Sequence, residues 1–535
     1  MVTLLTRLIP SPRPPLPLVL ASILVASAML FPLAYLVIRT AGVGDGVWDL
    51  LLHPRTIRVF VNSALLALAV TVASTLIAVP LAFLTVRTDL PGRRFWSVAT
   101  ALPLVIPSYV GSFAIIAALG PKGSILQTWL ELLGVQRLPS IYGWPGALLS
   151  LTLFSYPYVL LTVRASLLSL DPALEEASRS LGHGRWQTFI RVTLPLLKSS
   201  IAAGGLLVAL YTLRDFGTPS LMRFDSFTRV IYIQYQSSFD RSMAAVLSIS
   251  LVGLAAILLI LEYLARSGGR YYTSGTGSRR SPGTVELGRW RWPALLFCTT
   301  IVGLSLVMPL SVITYWLVRG LSAGEQLTPV WHLAANSIYV SGLTALVAML
   351  AAIPVASLSV RFPGLLSNLL ERSTYIGFAL PGIVVALSLV FFGVTYAMPL
   401  YQSTAMLIFA YVVLFIPQAV GTIRASLLQL SPQLEEAARS LGATPWRAMR
   451  TVTLPLISPG LLTGASLVFL TTMKELPATL LLAPTGFSTL ATRVWSATDD
   501  VYFARAAIPA LLLVGVSALS MMIILSQEPG SDENG

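Results

Sequence analysis

Long apolar stretches separated by short polar ones run the length of the chain. Each is close to the roughly 20 residues that a helix needs to cross about 30 Å of hydrocarbon. About twelve are read, near 16–38, 59–86, 95–119, 142–163, 199–221, 242–265, 293–318, 337–360, 372–396, 401–423, 461–483 and 506–526. The first follows Arg7 and Arg13 as a signal peptide's core would. It is long, holds Pro32 and lacks a small-residue cleavage site, so a retained signal anchor is expected.

Two polar islands break the pattern. Arg164 to Leu196 and Arg424 to Leu456 lie 260 residues apart and agree at 21 of 33 positions. Asn62-Ser63, Pro80 and Arg87 recur as Asn336-Ser337, Pro354 and Arg361 at a spacing of 274, and Ala101-Leu102-Pro103 returns as Ala379-Leu380-Pro381. Apolar helices look alike by composition, but that does not produce polar matches at fixed spacing. The expected fold is therefore an all-α integral membrane protein of about twelve spans in two six-helix repeats. An even number of spans separates the islands, so both lie on one face and the repeats run parallel.

Each island encodes a short amphipathic helix. Asp171 or Ser431 can cap it, Pro172 or Pro432 suits its first turn, and Gly182 or Gly442 can close it in a left-handed conformation. Leu174, Ala177, Ser178 and Leu181 fall on one face, with Glu175, Glu176 and Arg179 on the remainder. Leu434, Ala437, Ala438 and Leu441 repeat that face, beside Glu435, Glu436 and Arg439. A second amphipathic turn through Trp186 and Phe189, or Trp446 and Met449, precedes Leu194-Pro195 and Leu454-Pro455.

Composition fixes the solvent. Of 535 residues 55% are hydrophobic and 11% charged, and the mean hydropathy is +0.79; soluble domains carry about 25% charged residues. The net charge of +13 raises nucleic acid as a partner, but the basic residues are dispersed at the ends of apolar runs. With the N-terminus in the cytoplasm, 22 of the 35 Lys and Arg fall on the cytoplasmic side, together with both islands and the C-terminus. No nucleic-acid partner is expected. Cys298 is the single cysteine, so a disulfide within the chain or a Cys-based metal site is excluded. His53, His183 and His332 are far apart in sequence. The expected organisation is a first transmembrane domain over 1–265, a flexible Gly/Ser/Arg-rich cytoplasmic linker over 266–292, a second transmembrane domain over 293–526 and a polar tail over 527–535.

Glu176-Ala177-Ser178, Gly182 and Val192-Thr193-Leu194-Pro195 resemble the EAA loop, E-A-A-x3-G-x9-I-x-L-P, of binding-protein-dependent ABC importer permeases. Glu436-Ala437-Ala438, Gly442 and Val452-Thr453-Leu454-Pro455 resemble it again, with Ser178 in place of an alanine and Val192 and Val452 in place of isoleucine. The resemblance implies that each loop is a coupling helix seated in a groove of a cytoplasmic ATPase, two copies in all. It marks Glu175, Glu176, Ala177, Arg179 and Gly182, and Glu435, Glu436, Ala437, Arg439 and Gly442, as coupling residues. A phosphate-binding loop needs Gly-Lys-Ser/Thr, and none of Lys122, Lys198 and Lys474 follows a glycine. ATP and Mg are therefore expected on the partner, and this chain is expected to be a transport subunit rather than an enzyme.

The 260 offset also aligns Arg214-Asp215 with Lys474-Glu475 near the outer ends of the spans after the loops. Ionisable residues at membrane depth usually face a bundle interior or a water-filled path. One reading has Asp215 and Glu475 line or gate translocation, with Arg214 and Lys474 as counter-charges or contacts for a binding protein; the other has salt-bridged pairs anchoring helix ends. Segments 215–241 and 474–498 resemble permeases of the ferric-iron importer family, as does nearly the whole chain. That resemblance implies Fe(III) delivered by a periplasmic or lipid-anchored binding protein at a bacterial inner membrane. Asp215, Asp225, Asp240, Glu475, Asp499 and Asp500 would supply hard oxygen ligands or negative potential. Importers of thiamine, polyamine, sulfate and phosphonate share the architecture. An ion-gradient-driven transporter would not need paired docking loops, and a membrane enzyme would show a catalytic cluster.

Overall fold

The computed structural model describes residues 14–42, 46–170, 172–237, 242–266, 285–324 and 330–526. Asp171, Asp240 and the tail 527–535 lie outside the described residues. The main helices are α1 (Leu16–Ala41), α2 (Pro54–Arg87), α3 (Arg93–Ala99), α4 (Ser108–Leu119), α5 (Trp144–Ser169), α6 (Pro172–Ser180), α7 (Leu194–Arg214), α8 (Phe227–Ser237) and α9 (Ser242–Arg266) in the first half. The second half has α10 (Gly288–Ser322), α11 (Val330–Arg361), α12 (Leu365–Ala379), α13 (Gly382–Tyr396), α14 (Thr404–Gln429), α15 (Pro432–Ser440), α16 (Ser458–Met473), α17 (Leu490–Asp499) and α18 (Phe503–Ser526).

Among the described residues eight helices are long and apolar enough to span a membrane, or up to 11 if each of three bent pairs counts as one span. The runs near 95–119 and 372–396, expected to be continuous, bend by 97° and 98° instead. Proline is the cause. Ile106 and Leu380 precede Pro107 and Pro381 and take ψ of 118° and 123°, because the following ring disfavours the α region. Pro107 and Pro381 then each precede a new helix, α4 or α13. Pro381 thus corresponds in structure to Pro107, at the same 274 spacing as Arg87 and Arg361, rather than to Pro103 as the Ala-Leu-Pro match suggests. Ahead of the run near 461–483 a 70° bend separates Trp446–Leu456 from α16. The runs near 199–221 and 461–483 each close as a span before their end, at Arg214 and Met473, with short helices Gly217–Leu221 and Pro477–Leu482 beyond.

The chain packs as two compact units, one of residues 1–44, 329–492 and 515–535, the other of 45–328 and 493–514. Each is completed by a helix from the other half of the sequence. In the first, α1 lies against α11, α12 and α13; Phe31 meets Phe392 edge-on at 4.8 Å, and the Ser388 hydroxyl donates to the Pro32 carbonyl at 2.6 Å. In the second, α10 packs on α4, and Phe503 contacts both Phe113 and Trp316. The most enclosed spans are α5 and α14, each 72% buried over its apolar window, as expected of helices that are apolar all round.

Candidate coupling and gating sites

Both islands fold as the sequence predicts, and both add a feature it does not reveal. α6 and α15 begin at Pro172 and Pro432; at the second, the Ser431 side chain accepts from the Gln433 N–H at 3.4 Å. Gly182 and Gly442 adopt φ of +86° and +87°. Their N–H groups donate to the carbonyls of Arg179 and Arg439, while those of His183 and Ala443 reach back to Ser178 and Ala438, the Schellman closure that a side chain at the glycine would strain. A π-helical turn follows in each copy, Phe189–Thr193 and Met449–Thr453. Such turns are rare and frequent at functional sites.

The leucine face is directed outward. Leu174 and Leu181 are 49% and 78% exposed, and Leu434 and Leu441 46% and 89%. Glu176, Ala177 and Arg179, and likewise Glu436, Ala437 and Arg439, are also exposed. Each helix thus presents apolar and charged side chains together to whatever covers it. The inward face is polar instead. Glu175 accepts from the Thr193 hydroxyl at 2.9 Å and pairs with Arg87 at 3.5 Å; Glu435 accepts from Thr453 at 2.6 Å and from Arg361 at 2.8 Å. Arg87 and Arg361 end α2 and α11. The structure therefore joins two repeated signals that run at different spacings, 274 for the arginines and 260 for the glutamates. Arg164 and Arg424 brace the same region, the first to the Ser97 carbonyl at 3.0 Å and the second to Glu371 at 3.1 Å.

The second candidate site forms where α7 and α16 end. Asp215 caps α7 and is 9% exposed. Its Oδ1 accepts from the Ser108 hydroxyl at 3.0 Å and the Thr218 N–H at 3.3 Å, while Oδ2 is buried with no hydrogen bond among the described residues. Glu475 accepts from the Ala478 N–H at 3.3 Å, in the same register, and the Glu475 carbonyl accepts from Thr479 as the Asp215 carbonyl does from Thr228. Arg214 and Lys474 are half-buried beside them. In the first half Tyr158 packs against Tyr211 with the rings tilted, their centroids 5.4 Å apart; the equivalent pair in the second half is Gln418 and Thr471, joined by a 3.1 Å hydrogen bond.

The recurring Asn-Ser pairs hold the segments that follow. Asn62 donates to the Asp225 carbonyl at 3.4 Å, and Ser63 accepts from the Phe227 N–H at 3.0 Å. Asn336 donates to the Ser488 carbonyl at 3.0 Å, and Ser337 accepts from the Leu490 N–H at 2.8 Å. Their identity at a fixed spacing was visible in sequence; their partners, more than 150 residues away, were not. Of the remaining acidic residues Asp225, Asp499 and Asp500 are exposed, and Asp225 pairs with Arg229. Among the described residues no three His, Cys, Asp or Glu converge as a metal site would require.

Comparison with known proteins agrees with this duplicated architecture. The sequence signature described as "Binding-protein-dependent transport system inner membrane component" matches residues 83–268 and again 345–530. The Fe(3+)-transport system permease protein FbpB 2 of Haemophilus influenzae is 36% identical over 96% of this chain and 98% of its own length. The ferric transport system permease protein FbpB of Actinobacillus pleuropneumoniae is 25% identical over 79% of this chain and 64% of its own. The molybdenum transport system permease protein ModB of Escherichia coli is 33% identical over 38% of this chain and 93% of its own. The chain belongs to the family of binding-protein-dependent transport system inner membrane components, and carries that unit twice in one polypeptide.

Proposed function

We propose that this chain is the membrane-spanning permease of an ATP-driven importer that receives Fe(III) from an extracytoplasmic binding protein and passes it into the cytoplasm. The observation that carries the reading is resemblance along nearly the full length to a permease named for Fe(3+) transport. The molybdenum permease matches at similar identity, but over 38% of the chain. The exposed carboxylates Asp225, Asp499 and Asp500 also suit a hard cation better than an oxyanion.

Two copies of a cytoplasmic ATPase seat on α6 and α15, the leucines entering an apolar groove and Glu176 and Glu436 meeting its basic residues. ATP and Mg stay on those subunits, whose closure is transmitted through α6 and α15 to α2 and α11 by the Glu175–Arg87 and Glu435–Arg361 pairs. Both termini lie in the cytoplasm, at a bacterial inner membrane. Asp215 and Glu475 line or gate the path, with Arg214 and Lys474 as neighbouring counter-charges.

Uptake by vesicles holding the permease, its ATPase and its binding protein tests this reading, with Fe(III), thiamine, a polyamine and molybdate compared with and without ATP. ATP-dependent accumulation of iron alone is expected. Accumulation of another solute would discard iron, and uptake independent of ATP would overturn the importer reading.

A further inference from the structure

Residues 266–292 read from sequence as a flexible connector, yet the end of that segment is built into the first half. The Val285 N–H donates to the Arg87 carbonyl at 2.7 Å and the Asp89 N–H to the Val285 carbonyl at 3.2 Å, a parallel bridge centred on Thr88 and Val285. The Asp89 carboxylate then accepts from the Leu287 N–H at 2.8 Å through Oδ1 and from Arg291 at 3.0 Å through Oδ2. Four contacts thus fasten the linker to the end of α2, beside the arginine that pairs with α6.

Among the described residues nothing equivalent forms in the second half, and its sequence explains why. The 274 spacing places Pro363 where the first half has Asp89. A proline has neither the N–H that donates to Val285 nor a carboxylate to hold a following turn. The arginines at these two places differ as well. The Arg87 side chain is 1% exposed and its three nitrogens make no hydrogen bond among the described residues, so the ion pair with Glu175 is its electrostatic partner; the Arg361 side chain is 16% exposed and hydrogen bonded. The Arg87 charge thus acts on Glu175 across 3.5 Å in a site with little solvent to screen it, whereas Arg361 meets Glu435 directly at 2.8 Å.

We propose that the linker is a clasp on the first coupling element, with Asp89 as its anchor and a positioning residue for α6 acting through Arg87. The inference rests on α6 being a coupling helix, as set out above. A mere tether would matter only for its continuity; a clasp matters for the contacts at Asp89 whether or not the chain is cut upstream of Val285.

The test uses the full complex in vesicles and reads ATP hydrolysed per ion accumulated, with hydrogen exchange of 172–182 and 432–442 measured in parallel. Asp89→Ala is expected to raise the ratio several-fold and to speed exchange in 172–182 while leaving 432–442 unchanged. Asp89→Asn retains an acceptor for Leu287 and is expected to fall between Asp89→Ala and wild type. Cleavage at a protease site placed within 270–280 is expected to leave both readouts unchanged. A normal ratio and normal exchange in Asp89→Ala, or a ratio raised by cleavage alone, would overturn the clasp. Failure of the wild-type complex to couple uptake to ATP would instead overturn the importer reading beneath it.

Discussion

Arg87 and Arg361 occupy equivalent places, each closing the second helix of its half against a glutamate of the repeated loop. The first is sealed from solvent and the second is partly wet. The helices they hold are alike down to the backbone: a proline start, a left-handed glycine within 1° of its counterpart, the same threonine on the same glutamate, the same π-helical turn. What differs is the surroundings: Val285 bridges to the chain at Thr88 beside the first, and Pro363 stands at the second where the first half has Asp89. Duplication thus preserves the contacts that make the helix, while the contacts around the end of its arginine-bearing neighbour diverge.

The strongest challenge to this comparison is removal of the glutamates. Glu175→Ala leaves a buried guanidinium uncompensated, a situation that costs about 3–5 kcal/mol. Glu435→Ala leaves a wetter one, for which about 1 kcal/mol is expected. The first variant should therefore lose complex stability and coupled transport far more than the second, measured as thermal stability and ATP-dependent uptake. Equal losses would remove the distinction between the two sites.

The paired carboxylates give the next effect. Asp215→Asn and Glu475→Gln are each expected to reduce uptake by roughly tenfold, about 1.4 kcal/mol on the limiting barrier, with membrane abundance unchanged on immunoblots. Asp215→Asn should be the more severe, because Asp215 is buried with Oδ2 unpaired whereas Glu475 is half-exposed. Unchanged uptake in both would leave these residues as helix anchors.

Smaller and symmetric effects are expected at the helix ends. Gly182→Ala and Gly442→Ala each place a Cβ in a left-handed conformation, costing about 1 kcal/mol, and should weaken ATPase association equally in pull-down titrations. A large difference between them would show that the two backbones are not equivalent in the complex.

The smallest effect is one of acidity. The Leu287 N–H, opposed by desolvation and aided by Arg291, holds the Asp89 carboxyl below the ordinary aspartate range. A group whose folded value is depressed contributes stability above its unfolded value and loses it as the pH falls through the folded one. Exchange of 285–291 should therefore stay slow down through the normal aspartate range and quicken only below it; quickening at mildly acidic pH would contradict the anchoring role of Asp89.

Much of the fold was legible in sequence because apolar length and a long repeat are strong signals. Most span positions, the duplication, both amphipathic helices and their glycine closures follow from them. The bends at Pro107 and Pro381 were harder to read, since prolines also occur within continuous helices here, as Pro80 and Pro354 do in α2 and α11. The Arg87–Glu175 and Arg361–Glu435 pairs escaped for another reason. Each member was visible as a repeated position, but helical periodicity carries no information about which of two distant repeats meet. The linker bridge was least legible, because Gly, Ser and Arg around Val285 give no hint of a partner at Thr88.

If α6 and α15 are the surfaces on which partner ATPases act, their exposed tips lie within cross-linking reach of those subunits. Replacing Cys298 with Ser and placing single cysteines at Leu181 and at Leu441, exposed tips of the two helices, allows disulfide or maleimide cross-linking to the ATPase in native membranes. Cross-links from both positions, altered in yield by ATP, are predicted. Absence of cross-links from both, while the complex still transports iron with ATP, would contradict the account.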